Sequence, residues 1–216
     1  MRILISIFIL FLLKTFSNAN AQGTFKNLGF EEATFVSVGQ FTVRSDLAMP
    51  GWTLFVNNSS QTTMYFDAFT LDSAAVSIHD SSSLFATPIQ GQYSIVLQGG
   101  NVGGPAAIAQ VGTIAANAQT LAFKSSLTAE LDVYFDGQHL SLFNASTHPN
   151  YNIWAADISS FAGETGELRF STSQFKTSLI DDITFSTLAV PEPSIFSIFV
   201  TGGLIFSAAS RAIKRR

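Results

Sequence analysis

Two pairs of adjacent carboxylates, Glu31-Glu32 and Asp181-Asp182, stand near opposite ends of the central part of this chain. Acids gathered in one place raise one another's energy unless a cation or distance relieves them, and hard carboxylate oxygens suit Ca²⁺. The chemistry on offer is cation binding, provided the fold brings Glu31 or Glu32 towards Asp181 or Asp182. A second set is Asp132, Tyr134 and His139, with Trp154 further along. Aromatic faces beside carboxylate or amide groups suit sugar binding, and the plain alternative is a solvated sheet with ordinary cross-strand pairs.

Other chemistries are excluded or left without a candidate. The chain has no cysteine, which removes thiol nucleophiles, thiolate metal sites and iron–sulfur clusters. His79, His139 and His148 show neither HxxxH nor HExxH spacing. There is no G-x-S-x-G elbow, and serines are too abundant for any Ser/His/Asp combination to stand out. Nothing selects a pair of acids for glycoside hydrolysis, since the separation of about 5–9 Å that such a pair needs cannot be read from sequence.

The elements that must position these residues read as strands. Short β-branched and aromatic runs alternate with Gly, Asn, Ser and Asp punctuation. Strands are predicted at Gly51–Val56, Thr62–Phe69, Val76–Ile78, Gln92–Leu97, Ala106–Ile114, Thr120–Ser125, Glu130–Phe135, Gln138–Phe143, Tyr151–Ile158, Glu167–Ser171 and Leu179–Ser186. Regular short strands of this kind predict an all-β domain, a jelly-roll or β-sandwich. The sharpest local signal is Asp136-Gly137, which favours a two-residue type I′ turn because both positions need positive φ. That turn pairs Phe135 with Gln138, Tyr134 with His139 and Val133 with Leu140. It sets the aliphatic side chains on one face and Asp132, Tyr134, His139 and Ser141 on the other.

Charge sharpens once the two ends are set aside. Gln22–Val190 keeps five basic residues (Lys26, Arg44, Lys124, Arg169, Lys176) against 14 acidic ones, a formal charge of −9 where the whole chain carries −4. A domain this acidic is repelled by phosphate backbones, so nucleic acid is disfavoured as a partner. Calcium, a basic partner or an uncharged glycan suits it better.

Residues 1–21 read as a signal peptide: Arg2 at the start, an apolar run over Ile3–Leu13, then Ala19-Asn20-Ala21 as a small-x-small cleavage site ahead of Gln22. At the other end Pro191-Glu192-Pro193 precedes an apolar stretch of 16 residues, Ile195–Ser210, and then Arg211, Lys214, Arg215 and Arg216. As a helix that stretch is about 24 Å long, marginal for a hydrocarbon core of ~30 Å unless Arg211 snorkels. The basic end is expected to stay cytoplasmic, which places residues 22–190 outside. A plain membrane anchor, a GPI signal and a buried core helix are the competing readings, and the basic cluster argues against the last two.

The three-part order of residues 191–216 resembles the PEP-CTERM sorting signal, on Pro191-Glu192-Pro193, the Gly202-Gly203 helix and the closing basic cluster. The resemblance implies processing by exosortase, a membrane protease-transpeptidase of Gram-negative bacteria that make extracellular polysaccharide. It further implies transient anchoring in the inner membrane and release to the cell envelope, outer surface or extracellular matrix. The middle domain weakly resembles galactose-binding-like jelly-roll modules. The matching pieces are Asn27-Leu28-Gly29-Phe30-Glu31-Glu32, Pro50-Gly51-Trp52 and Leu179-Ile180-Asp181-Asp182-Ile183-Thr184-Phe185. Many such modules hold a structural Ca²⁺, which the resemblance assigns to Glu31, Glu32, Asp181 and Asp182. The expected function is that of a non-catalytic surface or matrix protein associated with exopolysaccharide, binding glycan through Asp132, Tyr134, His139 and Trp154. An envelope polysaccharide hydrolase and a structural or adhesive protein without a ligand are the alternatives.

Overall fold

A computed structural model describes residues 21–36, 39, 41–101, 104–126 and 131–189. The signal segment through Asn20 and the tail from Val190 lie outside the described residues. Among the described residues no helix is long and apolar enough to cross a membrane.

The chain forms β1 (Thr42–Arg44), a single helical turn α1 (Ser45–Ala48), β2 (Thr53–Val56), β3 (Ser59–Gln61), β4 (Thr63–Phe66), β5 (Ala75–His79) and β6 (Ser94–Gln98). It continues with β7 (Ala106–Thr113), β8 (Thr120–Ser125), β9 (Leu131–Phe135), β10 (Gln138–His139) and β11 (Phe143–Thr147). The last three are β12 (Asn152–Asp157), β13 (Thr165–Thr172) and β14 (Thr177–Ser186). One sheet has eight strands in the order β1-β4-β5-β6-β14-β8-β12-β11, the other six in the order β10-β9-β13-β7-β2-β3. Pairing is antiparallel except between β4 and β5.

Strict alternation explains why the sheets face each other. In β8, β9 and β13 every second residue is buried, the period-2 pattern that turns one face of a strand inward. Phe123 of β8 meets Phe170 of β13 across the interior at 5.2 Å in an edge-on packing, and Trp52 reaches the same Phe170 at 6.2 Å. Phe25, Phe30, Phe135, Leu54, Ile78, Ile95 and Ile108 complete the densest part of the core. The described core runs from Ala21 to Phe185. Both sheets and the apolar layer described between them lie within residues 21–189.

The Asp136-Gly137 hairpin has the expected register, with Gln138 opposite Phe135 and His139 opposite Tyr134. Both turn residues have positive φ (46° and 76°). The predicted strand Gln138–Phe143 is corrected. Its sheet pairing ends at His139, one further bond runs from the Leu140 amide to the Val133 carbonyl, and Phe143 begins β11 in the other sheet. Leu140 is buried between the two, so this segment serves both sheets.

Candidate functional site: the outer face of the six-stranded sheet

The hairpin register puts Asp132, Tyr134 and His139 on one face, turned away from the core. His139 Nε2 lies 3.2 Å from Asp132 Oδ1, and the His139 ring packs edge-on against Tyr134 at 5.2 Å between centroids. The tyrosine ring is thereby braced by His139, which Asp132 holds in turn. The adjoining strands bring further groups: Arg169 of β13 is the cross-strand partner of Tyr134, and Ser171 that of Asp132. Beyond β13 the floor is alanine, Ala109 beside Arg169 and Ala107 beside Ser171. Phe55 of β2 pairs with Ala107.

Ala107 and Ala109 are both buried, and Arg169 crosses above this part of the sheet. Its guanidinium sits over the Phe55 ring, 4.3 Å from the centroid, while Nη1 stands 3.5 Å from Glu167 Oε1. The result is a shallow hollow of about 280 Å³ lined by Asn58, Tyr134, Gly137, Glu167, Arg169 and Ser171. Tyr134 on β9 and Phe55 on β2 are three strand spacings apart, about 14 Å at ~4.8 Å per strand. An aromatic wall, a guanidinium platform and flanking carboxylates can stack on an apolar ring face and hydrogen-bond hydroxyls at its edge.

Trp154 does not belong to this face. It lies on β12 of the eight-stranded sheet, paired with Phe123, and packs against the core. Its indole N–H is buried without a hydrogen-bond partner, as is Asn152 Oδ1 two residues away. The Tyr134 face therefore loses Trp154 and gains Phe55, Glu167 and Arg169. The gain rests on strands that are neighbours in the sheet but distant in sequence, so no local spacing pointed to it.

The four carboxylates assigned to Ca²⁺ do converge in part, on the loop before β6. Glu31 accepts hydrogen bonds from the amides of Gln92 (2.9 and 3.0 Å to its two oxygens) and Tyr93 (3.2 Å). Asp181 Oδ2 accepts from the Gln90 amide (2.8 Å) and the Ser94 hydroxyl (2.6 Å), and its Oδ1 accepts from the Asp182 amide (2.7 Å). Asp182 forms a 2.9 Å ion pair with Lys124, whose ammonium also donates to Gln90 Oε1 at 2.7 Å. Glu32 is exposed, its own amide donating to Asn27 Oδ1. Ca²⁺ takes six to eight oxygens that point at one centre; these oxygens point at N–H and O–H donors instead. Among the described residues no group of three or more His, Asp or Glu is placed to hold a metal. The donor set does not fit the cation, and the acids are relieved by backbone amides and Lys124.

Burial nevertheless pushes the Asp181 carboxyl up to about 6, against the pull of its donors. The same outer face of the eight-stranded sheet carries a Ser-His-Asp constellation. His79 Nε2 lies 2.8 Å from Ser77 Oγ, Nδ1 2.7 Å from Ser83 Oγ, and Asp67 Oδ1 3.6 Å from Nδ1. Burial pushes the imidazole down to about 4, so it is neutral near pH 7. His79 is 0% and Ser77 1% exposed; a substrate cannot reach either, and the group works as an internal fastening of the 80–93 loop.

The segments Asn27–Glu32, Pro50–Trp52 and Leu179–Phe185 meet around Asn27. Its Nδ2 donates to the Pro50 carbonyl, its carbonyl accepts from Trp52 Nε1 at 3.0 Å, and Phe30 packs on Trp52 at 5.7 Å. The Ile183 amide donates to the Leu28 carbonyl. Where the described residues begin, Ala21 is buried and its amide reaches the Phe185 carbonyl at 3.4 Å, while Gln22 caps the Phe25 carbonyl.

These pairings define a two-sheet β-sandwich. No family model matches the chain, and no curated protein matches it. Among solved structures it is similar to the enzymatically active domain of tailspike protein 4 of bacteriophage CBA120, at 16% identity and a TM-score of 0.38. That match covers 63% of this chain and 19% of the tailspike chain, so the protein spans under a fifth of that relative's length. It is also similar to the family 11 carbohydrate-binding module from Clostridium thermocellum, solved with a β-1,3-1,4-mixed-linked tetrasaccharide. There the identity is 9% and the TM-score 0.35, over 71% of this chain and 99% of the module. At these values neither likeness speaks to ligand or activity.

Proposed function

We propose that this is a non-catalytic exported surface or matrix protein whose sandwich binds glycan on the outer face of the six-stranded sheet. The observation that carries the reading is Tyr134, braced by His139 and set beside the Arg169–Phe55 stack at the wall of an open hollow. Residues 1–21 serve as the export signal, cleaved before Gln22. Residues 191–216 serve as the sorting tail, read by exosortase at Pro191-Glu192-Pro193 after transient retention in the inner membrane. The protein acts as a binding partner of exopolysaccharide and performs no chemistry on it.

Native-gel affinity electrophoresis of residues 22–189 against exopolysaccharide from an exosortase-bearing strain tests the binding half. Retardation by the wild type and its loss in Tyr134→Ala support it; equal migration with and without polysaccharide sinks it. Release of reducing sugar by the same fragment shifts the reading to a hydrolase. For the sorting half, intact mass of envelope protein is compared between wild-type and exosortase-deficient cells. A tail retained in both ends that part of the proposal.

A further inference from the structure

The hollow on the six-stranded sheet sets a hydrogen-bond donor and an acceptor side by side. Arg169 Nη1 and Glu167 Oε1 stand 3.5 Å apart, at the long limit of a hydrogen bond, so each keeps capacity for a ligand. The guanidinium is positioned by its seat over Phe55, not by that contact. A planar, weakly hydrated guanidinium fixed in this way is pre-organised to donate along its edge. The ligand group that answers a donor and an acceptor held together is a vicinal diol, one hydroxyl accepting from Arg169 and its neighbour donating to Glu167. Tyr134, the cross-strand partner of Arg169, supplies a surface for the ring that carries the diol.

Charge around the hollow narrows the choice. Glu167 and Arg169 are the charged groups that line the hollow, and Asp132 stands one strand over, opposite Ser171, within a segment of formal charge −9. Glu167 offsets Arg169 at 3.5 Å, which leaves the acidic surroundings uncompensated, so an approaching carboxylate meets net repulsion. Building on the glycan reading above, we infer that this face takes a neutral polysaccharide with free vicinal diols, and that Asp132 and Glu167 turn uronate polymers away. Arg169 and Glu167 contact the sugar; Asp132 acts by its charge and by bracing His139.

The test is affinity electrophoresis of residues 22–189 in gels containing soluble neutral glucan, mannan, xylan or galactan, or the uronates alginate and polygalacturonate. At least one neutral polymer retards the protein, the uronates do not, and prior periodate cleavage of that polymer's diols abolishes retardation. The double variant Asp132→Asn/Glu167→Gln, checked for an unchanged melting temperature, gains uronate affinity at least tenfold. Uronate bound by the wild type as tightly as any neutral polymer overturns this inference and leaves glycan binding standing. Neutral binding that survives periodate overturns the diol. Binding of no polymer overturns both this inference and the glycan reading.

Discussion

Glu31 and Asp181, 150 residues apart in sequence (181 − 31), grip the same loop. Glu31 receives the amides of Gln92 and Tyr93, and Asp181 receives the Gln90 amide and the Ser94 hydroxyl. Two turns earlier the loop is held by Asp67, which accepts from the Asp80 amide, and by His79, which holds Ser83. Serine hydroxyls hold the Phe85, Ala86 and Ile89 amides. The bonds that tie this irregular segment to the first and last parts of the described chain, however, come from titratable carboxylates, so its stability follows their protonation.

The two most buried of these groups oppose each other with pH. The folded-state pKa of Asp181 is raised to about 6, so its contribution is fully present below its unfolded value near 4 and is lost as pH rises through 6. That of His79 is lowered to about 4, so its contribution is complete above about 6.5 and is lost as pH falls towards 4. Each amounts to roughly 3 kcal/mol over nearly the same window. The two trends oppose each other in the wild type, whose melting temperature is expected to vary less between pH 4 and 6.5 than that of either variant lacking one of them. Asp181→Asn unmasks the histidine and rises in stability with pH; His79→Gln unmasks the aspartate and falls. Calorimetry across that range decides it, and parallel profiles for the two variants would refute the assignment.

A second expectation concerns calcium. Because the oxygens of Glu31, Asp181 and Asp182 are already met by amides, a hydroxyl and Lys124, stabilisation by ligand linkage has nothing to act on. The melting temperature should stay within about a degree on adding millimolar Ca²⁺ or a chelator. A rise with Ca²⁺ that saturates would restore a cation site.

Asn27 is expected to be the costliest polar residue to remove. It closes three contacts, to Glu32, Pro50 and Trp52, and sits at φ 50°, a conformation asparagine tolerates better than alanine. Asn27→Ala removes two side-chain bonds and adds backbone strain, about 2–4 kcal/mol in all. Asn27→Gly, which relieves only the strain, should recover about 1 kcal/mol of that in denaturant melts. Identical midpoints for the two variants would show that strain plays no part.

The architecture was legible where strands alternate cleanly and opaque where they do not. All eleven predicted strands have counterparts, and the Asp136-Gly137 register is as expected. Three strands escaped notice. Ser59–Gln61 is wholly polar, Thr42–Arg44 has one buried residue, and Phe143–Thr147 buries none; edge strands of this kind carry no apolar period. Asp132, Tyr134 and His139 could be grouped because one tight turn joins them. Arg169 and Phe55 could not, since their place beside Tyr134 depends on sheet order. Trp154 went astray for a related reason: alternation shows that it shares a face with Asn152, but not that this face is the inner one.

Gly91 links the loop to Glu31 closely enough for a coupled test. It has φ 61°, and a Cβ there would lie 2.2 Å from Glu31 Oε1. Gly91→Ala must therefore both strain the turn and push the carboxylate off the Gln92 and Tyr93 amides. Glu31→Ala removes the same bonds by another route, leaving two amides to water or unpaired. Each single variant should cost about 1–3 kcal/mol. Together they should cost less than their sum by on the order of 1 kcal/mol, because the bonds can be lost only once. Simple additivity in a double-mutant cycle would mean that the glycine matters only through its own backbone. Glu31 would then hold the loop less firmly than its three contacts indicate.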